Sequence, residues 1–303
     1  MARKHNSPTL IGLLAIVLWS SIIALIRTVS EHLGPTGGAA LIYTVASILL
    51  LFTVGFPKIR SFPRRYLLFG SILFVAYELC LALAIGYAGG GRQTIEAGII
   101  NYLWPAFTIV FAIGFNGQKS NLLIVPGLLL SLMGTCWVLG GDGGLDLAGM
   151  SNIQSNPLSY GLAFAGALIW AAYCTVTARL AAGKNGITLF FMLTALALWC
   201  VHFATDGRLG EFNYPATGYL LLAAAAMGFG YAAWNVGLLH GNVTIMAGAS
   251  YFIPVFSSVL SAMILRTALS ISFWQGVLMV CVGSILCWLA TRGKEKNRGQ
   301  GRL

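Results

Sequence analysis

Charge is what this sequence has least of. Only 8 of its 303 residues are Asp or Glu, and charged side chains of both signs make up 9% of the chain, against 58% hydrophobic. A soluble chain of this length could not cover its surface with so few charges. The patterns of hydrolytic and nucleotide chemistry are missing too. There is no HExxH, no zinc-ligand spacing, no Walker motif and no Ser/His/Asp set assignable to one site. An intramembrane enzyme would therefore lack its reactive constellation, and nothing calls for a cofactor or a metal. No span alternates apolar and polar residues as a membrane β-barrel requires. The six cysteines (Cys80, Cys136, Cys174, Cys200, Cys281, Cys287) fall inside apolar segments and read as small buried hydrophobes. The net charge of +10 sits in short loops and tails, which argues against nucleic acid as a partner.

What the sequence does have is apolar runs long enough to cross ~30 Å of hydrocarbon, about 20 residues each. Ten spans are expected, at 8–28, 36–54, 65–87, 94–114, 121–140, 157–179, 187–204, 216–239, 243–264 and 272–291. Gly or Pro marks several of the short connectors: Gly34-Pro35, Phe56-Pro57, Phe62-Pro63 and Asp142-Gly143-Gly144. The fold class is all-α polytopic membrane protein, without a soluble domain. Met1-Ala2-Arg3-Lys4 before an apolar stretch resembles a signal peptide. The stretch is too long for one and has a counterpart later in the chain, so it reads as an uncleaved first helix.

Orientation follows from the basic residues. Fourteen lie on one side of the expected spans: Arg3, Lys4, Lys58, Arg60, Arg64, Arg65, Lys119, Arg179, Lys184, Arg292, Lys294, Lys296, Arg298 and Arg302. Four lie on the other: Arg27, Arg92, Arg208 and Arg266. Both termini are thus expected in the cytoplasm of a multi-pass protein. Most acidic loop residues (Glu31, Asp142, Asp146, Asp206, Glu211) fall outside.

The chain also repeats itself. Tyr102-Leu103-Trp104-Pro105 returns as Tyr251-Phe252-Ile253-Pro254, 149 residues later, and Gly127 and Gly134 return as Gly276 and Gly283. Residues 1–150 then form a first five-helix repeat. Residues 151–303 form a second, ending in a basic cytoplasmic tail. Five spans per half is an odd number, so the second half enters the membrane inverted. That architecture suits alternating access, and broken helices in matched positions point to the substrate site.

Thr94, Gly98, Asn101, Pro105 and Thr108 form a small-and-polar stripe on span 4; Ala247, Ser250, Pro254, Ser257 and Ser261 do the same on span 9. Lipid would penalise both stripes, so they are expected to face protein or water. Each proline frees the carbonyl four residues back, at Asn101 and Ser250, and those carbonyls need new partners. A plain kink satisfied by hydroxyls is the bland alternative to a cavity wall. Tyr66, Tyr214, Tyr219, Trp274 and Trp288 sit near span ends, as an interfacial belt wants. Trp19, Trp104 and Trp170 are deeper, as are Tyr77, Tyr102, Tyr173, Tyr231, Trp234 and Tyr251. Core packing explains any one of these rings, and an aromatic-lined pocket explains the set, which could hold a flat apolar group or a cation. Glu78 reads as the only carboxylate well inside a span. It could attract an amino group, carry a proton, or sit protonated and hydrogen-bonded to a Tyr or Trp. His202, near a span end, reads as a hydrogen-bonded structural histidine. Gly86, Gly89, Gly90 and Gly91 read as a tight turn or hinge at the external mouth. The Gly127/Gly134 and Gly276/Gly283 pairs read as close packing of spans 5 and 10.

Ten spans in two inverted halves are similar to the drug/metabolite transporter superfamily, in the branch of EamA-type exporters. The runs from Gly98 to Pro105 and from Ala247 to Pro254, each followed by a Gly-x6-Gly span, carry that resemblance over nearly the whole chain. The aromatic wealth of spans 1, 3, 4 and 6 resembles the branch's bacterial exporters of aromatic amino acids. The resemblance implies efflux of aromatic and other neutral amino acids through a central cavity lined by Trp19, Tyr77, Glu78, Tyr102, Trp104 and Trp170. Many members carry Gly-Glu after the fourth and ninth spans. Here those places read Gly117-Gln118 and Arg266-Thr267, so a loop role for that Glu does not transfer. Tyr173, Asn101, Ser250 and Tyr251 complete the expected substrate-binding set, with Pro105 and Pro254 as kinks. The expected surroundings are the bacterial inner membrane, the expected partner an amino acid substrate, and the expected unit a monomer. The alternative reading is a multidrug exporter of lipophilic cations, using the same rings and Glu78.

Overall fold

The computed structural model describes residues 6–141, 151–205, 207–240 and 243–292. The Asp142-Gly143-Gly144 connector, Asp146, Asp206, the first five residues and the basic C-terminal tail lie outside the described residues. Those described form thirteen α-helices and one 3-10 turn at Ile59–Ser61, with no strand among them. In order, the helices are α1 (Asn6–Leu33), α2 (Pro35–Thr53), α3 (Arg64–Gly86), α4 (Gly91–Asn101), α5 (Trp104–Asn116), α6 (Ile124–Leu139), α7 (Ser151–Ser155), α8 (Pro157–Leu180), α9 (Ile187–Thr205), α10 (Tyr214–His240), α11 (Val243–Ser250), α12 (Ile253–Ile264) and α13 (Ile271–Arg292).

Local chemistry sets the ends of these helices. Gly34 adopts φ 82° between α1 and α2, a conformation costly for any side chain, and Pro35 then opens α2 at a position whose N–H has no helical partner. Pro157 opens α8 in the same way, behind an Asn156 side chain that accepts the Ser159 N–H at 3.3 Å. Gly117, at φ 65°, closes α5 in the left-handed conformation.

Among the described residues, eight helical stretches are long and apolar enough to cross a membrane by themselves, with α4 and α5 counted together as Gly91–Asn116. The other two of the ten expected spans are shorter. One is the 16-residue α6; the other is the pair α11 and α12, of 8 and 12 residues. The matched prolines do more than kink their spans. Tyr102 and Leu103 turn out of helix between α4 and α5, Tyr251 and Phe252 do so between α11 and α12, and each proline becomes the second residue of the helix that follows.

The helices pack across the sequence halves. α1 runs along α10, α3 along α8, α2 along α9 and α6 along α13. At the last contact the backbones touch: a Cβ added to Gly134 would lie 2.7 Å from the Gly276 carbonyl oxygen. The expected close packing of spans 5 and 10 is thus present. The two halves share one buried core, in which Ile26, Tyr43, Phe74, Phe190 and Phe191 are fully enclosed.

Candidate functional site

The centre of that core is hollow. A cavity of about 70 Å³ is lined by Trp19, Ile22 and Ile23 from α1, Tyr77, Glu78 and Leu81 from α3, and Asn101, Tyr102 and Trp104 at the first helix break. Trp170 from α8, Met227 and Tyr231 from α10, and Ile253 at the second break complete it. Seven of the ten substrate-binding residues expected from sequence meet here: Trp19, Tyr77, Glu78, Asn101, Tyr102, Trp104 and Trp170. The other three do not. Tyr173 stands behind Trp170, their ring centres 4.9 Å apart, and packs edge-on against Phe74. Ser250 and Tyr251 line a smaller space of about 10 Å³ between the two helix breaks, with Pro105, Pro254 and Ser284. Tyr102, Trp104 and Ile253 line both spaces and so divide them.

The rings brace one another. Tyr77 lies 4.4 Å from Trp170, which meets Trp104 edge-on at 6.2 Å. On the far wall Trp19 meets Tyr231 and Trp234, each at 5.1 Å between ring centres. Such contacts hold aromatic planes in fixed directions at little entropic cost. Two polar atoms on lining residues have no hydrogen-bond partner: Asn101 Oδ1 and Trp19 Nε1. The Asn101 amide nitrogen donates to the Tyr77 hydroxyl at 3.5 Å, which turns its oxygen away from that bond.

Glu78 is 1% exposed. One carboxylate oxygen accepts the Tyr43 hydroxyl at 2.5 Å and the other accepts the Tyr231 hydroxyl at 3.0 Å. Tyr231 belongs to the set of deep rings expected to line a pocket but not to the expected substrate-binding residues, and no expectation includes Tyr43. The pairs are 35 and 153 residues apart, and no local pattern marks either.

The structure adds to these expectations and corrects some. A second carboxylate is enclosed: Glu96, near the start of span 4, is also 1% exposed. Glu96 pairs with Arg92 at 2.9 Å, accepts the Tyr160 hydroxyl at 2.5 Å and takes a longer bond from Asn152 at 3.4 Å. The i, i+4 spacing of Arg92 and Glu96 was the available signal. It was missed because Arg92 was read as loop, whereas α4 begins at Gly91. Tyr66 belongs to no interfacial belt: it is buried against Phe190. The span-4 stripe faces protein, as one of its two expected surroundings: Gly98 packs on Ile23 of α1, and of the stripe only Asn101 lines the central space. In the second stripe Ser257 and Ser261 are buried, and the Ala247 side chain lies outside the described residues.

Two structural expectations fit what is seen. His202 Nδ1 bonds the Thr36 hydroxyl at 2.9 Å, away from the cavity. The glycine cluster makes a tight turn in which Gln93 accepts the Gly89 N–H at 2.7 Å. At Gly91 a Cβ would collide with the Thr267 hydroxyl, so a larger residue at the start of α4 must displace that side chain.

Known proteins place this architecture. A solved crystal structure, 23% identical and covering 95% of this chain and 98% of its own, superposes with a TM-score of 0.66. It shares the fold. An Escherichia coli K12 protein named aromatic amino acid exporter YddG is 63% identical over 289 residues, 95% of this chain and 99% of its own. Its Salmonella typhimurium namesake is 62% identical over 285 residues, 94% and 97% of the two chains. A protein of the same name from Ancylobacter novellus is 27% identical over 263 residues, 85% and 88% of the two chains. The model of the EamA-like transporter family matches twice, at 6–140 and at 157–289. Long apolar helices and this double match together make the chain a membrane-embedded member of the EamA-like transporter family.

Proposed function

We propose that the protein exports aromatic and other neutral amino acids across the bacterial inner membrane, by alternating access of a central cavity. One observation carries this reading: rings from α1, α3, α8, α10 and the first helix break enclose a single buried space that contains one carboxylate. Aromatic walls suit a flat side chain, and a buried carboxylate suits an ammonium group. Near-full-length identity to proteins named as aromatic amino acid exporters supports the same substrate class. Trp19, Tyr77, Tyr102, Trp104 and Trp170 would enclose the side chain, with Tyr173 supporting Trp170. Asn101 and Glu78 would meet the amino acid group. Ser250 and Tyr251, in the smaller space, would act with Pro105 and Pro254 where the helices break.

In this reading all ten spans cross the membrane, as two inverted repeats over 1–150 and 151–303. The double family match supports the duplication. So does the packing: exchanging the halves turns the α1–α10 contact into α8–α3 and returns α2–α9 and α6–α13 to themselves. The basic-residue bias supports cytoplasmic termini, which puts the α4–α8 contact around Glu96 at the outer end of the cavity. Because the halves interlock, movement would centre on the two broken spans rather than on one half swinging against the other. A monomer would suffice, its cavity closed within one chain and its helices facing lipid.

Purified protein in proteoliposomes is expected to catalyse counterflow of labelled tryptophan or phenylalanine, with Trp104→Ala slowing it at least tenfold. Failure to move any aromatic amino acid would overturn the reading. A second reading, export of lipophilic cations, is favoured by one feature: no salt bridge reaches Glu78 among the described residues. If it holds, lipophilic cations compete with tryptophan and the competition disappears in Glu78→Gln.

A further inference from the structure

The setting of Glu78 bears on what drives the transport proposed above. Every titratable group facing this carboxylate is a phenol. Tyr43 comes from α2, Tyr231 from α10 and Tyr77 from α3 itself, with Tyr102 and Cys174 one layer further out, beside Tyr77. Trp19 of α1 and Phe191 of α9 pack on Tyr231, and Phe191 also packs on Tyr43; α8 adds Trp170 and Tyr173. The ion pairs among the described residues are Arg27–Glu31 and Arg92–Glu96, both remote from this contact. A carboxylate in so dry a place is costly unless a cation joins it or a proton neutralises it. Phenols are suited to both states. A hydroxyl donates to a charged carboxylate and accepts from a protonated one, whereas a lysine or arginine would fix the charge.

The two phenols are not equivalent. Tyr43 is fully buried and does not line the cavity; Tyr231 lines it. A ligand entering the cavity therefore meets Glu78 on the Tyr231 side and leaves the Tyr43 bond in place.

We propose that Glu78 is one exchangeable site for two cations, a proton when the cavity is empty and the substrate ammonium when it is loaded, so that export runs as amino acid/proton exchange. This rests on the export reading. On loading, the carboxyl O–H bond breaks and the proton leaves to water on the cytoplasmic side. An ammonium N–H then donates to the oxygen that Tyr231 had bonded. On the outer side the steps reverse: a proton binds as the ammonium departs, and nothing is oxidised or reduced. A zwitterion leaves as a proton enters, so each turnover carries one net positive charge inward. An inside-negative potential therefore adds to the pH gradient. Tyr43 is a positioning residue that holds the far oxygen in both states.

Two measurements on the full chain test this. In weakly buffered detergent solution with a pH dye, tryptophan binding is expected to release about one proton per ligand and to release none in Glu78→Gln. Tyr43→Phe keeps the stoichiometry but moves the release profile to higher pH, because the charged carboxylate loses a donor. In proteoliposomes with an acidic lumen, labelled tryptophan accumulates several-fold above the external level, and Glu78→Gln vesicles show no accumulation. Binding without proton release, or uptake indifferent to the gradient, overturns the exchange and leaves export standing. Absence of binding and flux for every aromatic amino acid overturns both.

Discussion

The two broken spans meet their neighbours through different chemistry. At one end α4 meets α8 through polar groups: Glu96 with Arg92, Tyr160 and Asn152, then Asn156 on Gln93 at 3.1 Å and on the Tyr87 carbonyl at 2.8 Å. Ser159 adds a bond to the Ala84 carbonyl at 2.6 Å. At the other end α11 meets α1 and α10 around buried Met246, which is seated between Gly12 and Gly237. A Cβ at Gly237 would lie 2.5 Å from the Met246 sulfur and 2.7 Å from the Gly12 Cα. Hydrogen bonds to a buried charge are directional, and breaking one leaves its partner stranded, so in the proposed cycle that seam would open as a unit, with water replacing its bonds. A thioether between glycines slides and repacks in small steps. The repeated Tyr-x-x-Pro segments break their helices at matched positions, while the contacts around the two breaks differ.

The largest expected effect is at the Met246 seam. Gly237→Leu pushes side-chain atoms into the backbone of α1 and should cost several kcal/mol through overpacking; the readout is the yield of folded protein in detergent. Normal yield and unchanged melting would mean that α1 and α10 lie further apart than this geometry requires. Next comes the polar seam. Glu96→Ala strands the buried Tyr160 hydroxyl and removes the Arg92 pair, with an expected loss of about 2 kcal/mol. Glu96→Gln keeps an acceptor and should lose about half of that. Equal melting of the two variants would deny the charge any part in the seam.

The smallest effect sharpens the comparison without removing either seam. Tyr160→Phe removes one hydrogen bond, about 1 kcal/mol. With a Leu81→Cys reporter in the cavity and the native cysteines replaced, it should raise labelling by an impermeant thiol reagent from the outer side only. Met246→Ala should raise labelling from the cytoplasmic side only. Reversal of those sides would overturn the orientation proposed for the chain.

The breaks were legible because proline removes a backbone donor wherever it stands, so Pro105 and Pro254 announce them without knowledge of neighbours. Trp19, Trp104 and Trp170 were legible as deep rings because a helix rises by a fixed step, which makes sequence position a measure of depth. Their common cavity was inferable from the repeat. Tyr173 shows the limit of such reading. It is as deep as Trp170, yet helix rotation places it in a second layer against Phe74. Glu78 could be marked as unusual, but its partners could not be named, since Tyr43 and Tyr231 come from helices that only the folded bundle brings together.

By itself, the sequence determined membrane embedding, the duplication, the two break points and a supply of aromatic rings and one deep carboxylate. These follow from hydrophobicity, spacing and backbone chemistry, which act along the chain. The tertiary structure alone decided that the halves interlock, that Glu96 joins α4 to α8 while Met246 packs α11 against α1 and α10, and that two phenols hold Glu78. Those outcomes depend on which helix faces press together and at what rotation, and that is settled by packing between residues far apart in sequence.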